Sequence, residues 1–346
     1  MLASARSGML HALFLNRWLH LTAGGAASVG LAYVAVRSLA WGEVIRTFQS
    51  FPVVYAALSL LPLAAAMLLR TARWHVLLHG EPATFGQVFV TQNTGIGLNN
   101  LLPIRMVSEP VQMVLVTRRY KVPSPMALAT LVAGNILDIF ATGLLMLVGV
   151  WLVPGLRDGR IGIHLFGAFV MFVVSMLVFV AVSRGLGAIP IANRMRFFQR
   201  LMVAATLLRG RPLRLWASFG ATLAHWLLLG VAGWGLAVGL GMDVHPLTMA
   251  TILVAATFFT SAVPSLPGGL GTYHFAIISM LNALDVDPAA SFSFAIVMHL
   301  MVFAPSSAIA LGMMSRVGMT FLLRSEPHTA EARSAPAGTA PGESEE

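Results

Sequence analysis

Six stretches of this chain, at about 19–40, 53–69, 127–153, 161–183, 215–239 and 289–315, stay apolar over close to the width of a bilayer. A helix needs roughly 20 such residues to cross the hydrocarbon core, and every backbone N–H and C=O inside that core must be paired within the protein. The runs therefore restrict the chain to helices packed in a membrane. Charge agrees: 10% of the 346 residues are charged and 57% are hydrophobic, where a soluble domain carries about 25% charged residues. Cysteine is absent, which removes disulfides, thiolate metal sites and cysteine nucleophiles.

Two further apolar stretches, about 86–119 and 248–284, are too long for one ordinary span and are broken near their middles. The first break is NNLLPIR, residues 99–105; the second lies in AVPSLPGGLGTYH, residues 262–274. Prolines end helices and glycines let backbone approach closely. Irregular backbone at membrane depth must be buried in protein or line a wet cavity. Two such breaks meeting near the midplane would build a polar site, with half-helix ends supplying partial charges. The plainer reading of each is a packing kink.

Charge sets the sidedness. Arg70 and Arg73 precede the first broken stretch, and Arg118, Arg119 and Lys121 follow it. Both ends of that stretch read as cytoplasmic by the positive-inside rule. GMDVH and LDVDP flank the second and contain no Lys or Arg, so both of its ends read as external. From Arg184 to Arg214 there are seven arginines and no acid. That is the pattern of a cytoplasmic loop rather than of a nucleic-acid surface. Arg6 and Arg17 lie far along the N-terminus, and no clean A-x-A site follows the first run, so a retained helix is favoured over a cleaved signal.

The expected fold is all-α and polytopic. It has about six full spans plus two re-entrant helical hairpins entering from opposite faces. A cytoplasmic segment covers 1–18, the transmembrane domain 19–318, the basic loop 184–214, and a disordered cytoplasmic tail 319–346, whose sequence lacks apolar surface. Both termini face the cytoplasm, and the membrane is the plasma (inner) membrane. The hairpins also resemble each other. LLPIRMVSEPVQMVLVTRRYKVPSPMALAT and SLPGGLGTYHFAIISMLNALDVDPAASFSF each run Leu-Pro, a polar break, an apolar half-helix, a Pro-containing turn and a small-residue span, and with one gap Glu109 falls opposite His274. Opposed orientation plus similarity predicts an inverted repeat, as in secondary transporters.

Ionisable residues inside the runs are site candidates by default. Asp138 is the acid well inside a full span, and Asn135 sits one turn earlier on the same face. Arg105 and Glu109, four apart at the first break, can pair. The functional reading of these groups is a head-group or proton site. The structural one is an internal ion pair, with Asp138 held by Arg73 or Arg105. His274 and His299 lie near the second break and inside the last span. Both could titrate near neutral pH or serve as helix–helix hydrogen-bonding partners. His75 and His79 have i, i+4 spacing but no H-E-x-x-H context, so no metal is expected. Nucleophile-elbow, phosphate-loop and paired-aspartate motifs are missing. The chain is therefore not expected to be an enzyme or to need a cofactor; a transferase using Asp138 or His274 as base is the least favoured reading.

The segments RTARWHVLL, NNLLPIRMVSE, the span carrying Asp138, and LPGGLGTYH resemble the transmembrane region of lysylphosphatidylglycerol synthases and the stand-alone flippase-like proteins built on it. The resemblance covers roughly residues 15–318 and leaves out the family's soluble aminoacyl-transfer domain. It implies movement of a polar-head-group lipid (phospholipid, glycolipid or isoprenoid-linked lipid) between leaflets, with that membrane lipid as substrate. The expected site comprises Arg73, Asn99, Asn100, Pro103, Arg105, Glu109, Asp138, Gly268, Gly269, Gly271 and His274. Arg105 would contact phosphate, and Glu109, Asp138, His274 and His299 would relay protons or balance charge. The chain departs from the family pattern where His274 replaces an acid, His299 an arginine and Asn135 an arginine. The alternative is a non-transporting scaffold that binds a lipid- or glycan-modifying enzyme through the arginine loop.

Overall fold

The computed structural model describes residues 22, 25–37, 39–51, 53–102, 107–152, 212–263 and 265–317. Their regular elements are helical. In chain order these are α1 (Gly25–Val36), α2 (Trp41–Gln49), α3 (Val53–Leu77), α4 (Phe85–Leu101), α5 (Ser108–Val114), α6 (Ser124–Leu152), α7 (Pro212–Gly239), α8 (Pro246–Ala262), α9 (Thr272–Asn282) and α10 (Pro288–Val317). A π-turn, Leu115–Arg119, continues α5. Four of the helices (α3, α6, α7 and α10) are long and apolar enough to cross a membrane, and α1 with α2 makes a fifth if that bent pair is one span. The chain is a multi-pass membrane protein. The span expected at 161–183, most of the 184–214 loop, residues 1–18 and the tail at 319–346 lie outside the described residues.

Helix starts follow the local sequence. Thr84 and Gln87 cap α4 reciprocally: Thr84 N–H donates to Gln87 Oε1 at 2.9 Å, and Gln87 N–H to Thr84 Oγ1 at 3.4 Å. His245 precedes Pro246 at the start of α8, and its Nδ1 accepts from Leu247 N–H at 3.2 Å. Asp287 precedes Pro288 at the start of α10, and its Oδ2 accepts from Ala290 N–H at 2.8 Å. Proline at the first helical position needs no N–H partner there.

α3 differs from its sequence reading. The apolar run ends near residue 69, but the helix continues to Leu77 and carries Arg70 and Arg73 inward. Both arginines are bundle residues, as expected for Arg73 as a partner of Asp138, whereas the sequence marks Arg70 only as a flanking charge. α3 packs antiparallel to α7, and small residues set the register. A Cβ on Gly239 would meet Tyr55, and one on Gly235 would lie 2.7 Å from Ser59 Oγ. Further along, Ala66 faces His225 and Arg73 faces Ser218. Arg214, the last arginine of the basic stretch, donates to the His79 carbonyl at 3.1 Å. The opposite end gathers Glu43, Ser50, Gly239 and Asp287 around a cavity of about 430 Å³.

The broken stretches lie inside the bundle. α8 is buried on every side from Thr248 to Ala256, and α4 buries Thr91, Gln92, Asn93 and Thr94 in succession. The main core joins Leu236, Leu253, Ile277, Leu281, Phe294 and Met298 from α7, α8, α9 and α10. α4 meets α10 at close range: a Cβ on Gly97 would strike the Ser306 carbonyl. The middles of α4 and α8 are thus enclosed by protein, while their last turns reach exposed positions, Leu101 and Ser261.

Candidate functional site

The polar residues fall into two groups joined by α4. The first group lies between α3, α4, α5, α6, α7 and α10. Arg73 is 8% exposed, and its guanidinium lies 2.5 Å from an Asp138 carboxylate oxygen. Trp226 Nε1–H donates to the same oxygen at 3.2 Å. The Arg73 main-chain carbonyl accepts from Ser218 Oγ–H at 3.1 Å. One turn before Arg73, Arg70 donates to Asn93 Oδ1 at 2.9 Å, and Ser306 Oγ–H donates to that same oxygen at 2.9 Å. One turn before Asp138, Asn135 donates to Glu109 Oε1 at 2.6 Å in an exposed contact. Below Arg73, Trp74 Nε1–H donates to Thr130 Oγ1 at 3.1 Å. The line from Glu109 through Asn135, Asp138 and Arg73 to Trp226 is a polar seam in an apolar bundle.

The second group forms around the glycine break. Leu266 N–H donates to Ser28 Oγ of α1 at 2.7 Å, and Pro267–Gly269 make one 3-10 turn before α9 starts at Thr272. Gly268, Gly269 and Gly271 have φ of 68°, 71° and 84°, which an L side chain rarely adopts. A Cβ on Gly268 would lie 3.4 Å from the Asn100 carbonyl and 3.9 Å from His299 Nε2. The second break therefore touches the end of α4, where the first break begins. His274 Nδ1 accepts from Gly271 N–H at 3.4 Å. Its ring stacks on His299 at 4.7 Å between centroids, and His299 stacks on Phe303 at 4.1 Å. Tyr273 meets both His299 and Phe303 edge-on.

Of the expected site residues, Arg73 and Asp138 pair directly, and Glu109 accepts from Asn135, one turn away from Asp138. Asn100, Gly268 and His274 gather at the meeting of the breaks, with Gly269 and Gly271 shaping the turn. Asn99 is half-buried at the end of α4. Pro103 and Arg105 lie outside the described residues, and so does the suggested Arg105–Glu109 pair. His75 and His79 do not converge on a carboxylate: His75 packs edge-on against Phe85, and His79 is exposed. Among the described residues no three His, Asp or Glu side chains stand where they could hold a metal.

Arg70, Asn93, Ser306 and Trp226 were not anticipated. The run Thr91-Gln92-Asn93-Thr94 inside an apolar stretch was the available signal, since buried polar side chains require partners. Chemically, the seam offers paired charges and hydrogen-bond donors. The meeting of the breaks offers the carbonyl end of α4, which is electronegative, near the electropositive start of α9.

A family model described as "Lysylphosphatidylglycerol synthase TM region" matches residues 21–310 of the chain. No curated protein and no solved structure matches.

Proposed function

As this chain belongs to the lysylphosphatidylglycerol synthase TM-region family, we propose that it moves a polar-head-group lipid between leaflets. The observation that carries the reading is the contact of the two helix breaks, half-buried Asn100 against Gly268, in a multi-pass membrane protein. Interrupted helices that meet are how secondary transporters expose backbone dipoles to cargo. In this reading the head group enters between the breaks and the charged seam, and its tails remain in lipid. Arg105 binds the phosphate in this reading. Glu109, Asp138, His274 and His299 hold or pass protons as the site turns from one face to the other. The two broken stretches act as re-entrant hairpins of an inverted repeat, in the inner membrane, with both termini cytoplasmic.

Transport is tested in liposomes loaded with purified protein and fluorescent phosphatidylglycerol, a glycolipid or an isoprenyl phosphate. Arg105→Ala and Glu109→Gln should each slow the transported lipid about tenfold, the loss of one hydrogen bond to a charged group. Wild-type rates in both variants would remove these residues from the site. Movement of none of the three lipids faster than in empty liposomes would overturn the transport reading.

Topology is testable with single cysteines, because the chain has none of its own. Ser124 and Asp285 are both exposed. Ser124→Cys and Asp285→Cys should react with a membrane-impermeant maleimide from opposite sides of the membrane. Labelling from one side only would reject the inverted repeat.

A further inference from the structure

The interior beside the seam holds more positive than negative charge. Arg70 and Arg73 sit one turn apart on α3, and the carboxylate that bears on them is Asp138. That carboxylate is occupied by Arg73 and Trp226. Arg70 donates one N–H to Asn93, and its Nε is buried with no hydrogen-bond partner. Asn93 has little more to give. Its Oδ1 already accepts from Arg70 and Ser306, and its Nδ2 donates to the Phe89 carbonyl. Among the described residues, two guanidinium groups thus stand against one carboxylate. A guanidinium has five donors in a planar fork and cannot shed its charge. An excess charge of this kind in a membrane interior is costly unless an anion reaches it.

We infer that Arg70, with Arg73, frames an anion site for a phosphate group. A guanidinium fork fits two oxygens of a phosphate side by side, and the second guanidinium one turn away suits a tetrahedral anion better than a planar carboxylate. Asn93 and Ser306 hold Arg70 in place from α4 and α10. The phosphate comes either from an anionic lipid head group or from free phosphate. The lipid source rests on the transport reading, and the site itself does not.

The test is thermal unfolding of the purified protein in a neutral detergent, titrated with inorganic phosphate, dioctanoyl phosphatidylglycerol or phosphate-free dioctanoylglycerol. Wild type should gain Tm with one of the two phosphate-bearing probes and not with dioctanoylglycerol. A response to inorganic phosphate identifies a free-anion site; a response to the phospholipid alone identifies a head-group site. Arg70→Gln should weaken the apparent affinity about ten- to a hundredfold, as for loss of a charged hydrogen-bond pair. Asn93→Asp places a carboxylate against Arg70. It should lose the response while remaining folded, the new pair with Arg70 offsetting the lost bond to the Phe89 carbonyl. An equal response in all three proteins, or none in wild type, overturns the inference. Binding without lipid movement in liposomes would sink the transport reading and leave this site standing. Lipid movement that is the same in Arg70→Gln would exclude the transported head group as the source of the phosphate and leave the transport reading standing.

Discussion

Asp138→Ala should destabilise the folded protein by about 3 kcal/mol, the low end of what removing one partner from a buried ion pair costs. The low end applies because the Asp138 side chain keeps 26% of its surface exposed, while the Arg73 side chain keeps 9%. The loss has two parts. The Arg73 guanidinium is left without its carboxylate, and Trp226 Nε1–H loses its acceptor. Asp138→Leu combined with Arg73→Met should recover much of the stability, since apolar replacement of a whole buried pair is often neutral or better. The same double variant should lose transport. Unfolding followed by tryptophan fluorescence in mixed detergent reads the stability, and the liposome assay reads the function. A single variant as stable as wild type would mean that the pair does not hold α3 to α6. A double variant that still transports would make the pair purely structural.

Gly271→Ala should cost about 2–4 kcal/mol, the sum of a strained backbone conformation and an overpacked contact. Gly271 has φ 84° and ψ −55°, and a Cβ there would run into the Ser28 carbonyl of α1. Both effects act on one methyl group, and the carbonyl it meets is backbone, so no rotamer change relieves it. Gly134→Ala is the matched control: Gly134 lies inside α6 with nothing near its missing Cβ. It should be neutral or gain up to about 1 kcal/mol from helix propensity. Equal unfolding midpoints for the two variants would contradict this account of the glycine turn. Loss of stability confined to Gly271→Ala would support it.

The spans near 127–153, 215–239 and 289–315 could be read from the sequence because hydropathy reports what contacts lipid. The breaks could be read because Pro and Gly act locally, wherever the neighbours are. Arg70 misled for the opposite reason, while Arg73 was already a candidate partner for Asp138. A charged residue at the end of an apolar run looks like a loop residue, and only its partner tells otherwise. Those partners are far along the chain: Asp138 for Arg73, Asn93 and Ser306 for the Arg70 network. Asp138 itself stood out, because an acid within a span must be paired or functional. Its choice between Arg73 and Arg105 depended on helix packing that no local pattern encodes. The His274 and His299 rings were visible singly, but their stacking across α9 and α10 was not.

Arg73 is fastened at both ends, with its guanidinium on α6 and its carbonyl on α7. In mechanical terms it works as a rivet through three plates. Any rocking motion that keeps these bonds must carry α3, α6 and α7 together as one stiff frame. α5 meets that frame through the exposed Glu109–Asn135 contact, a joint that water can replace on either side. α4 is pinned as well, to α3 and α10 through Asn93, so the joint that can give without breaking the frame is the one at α5.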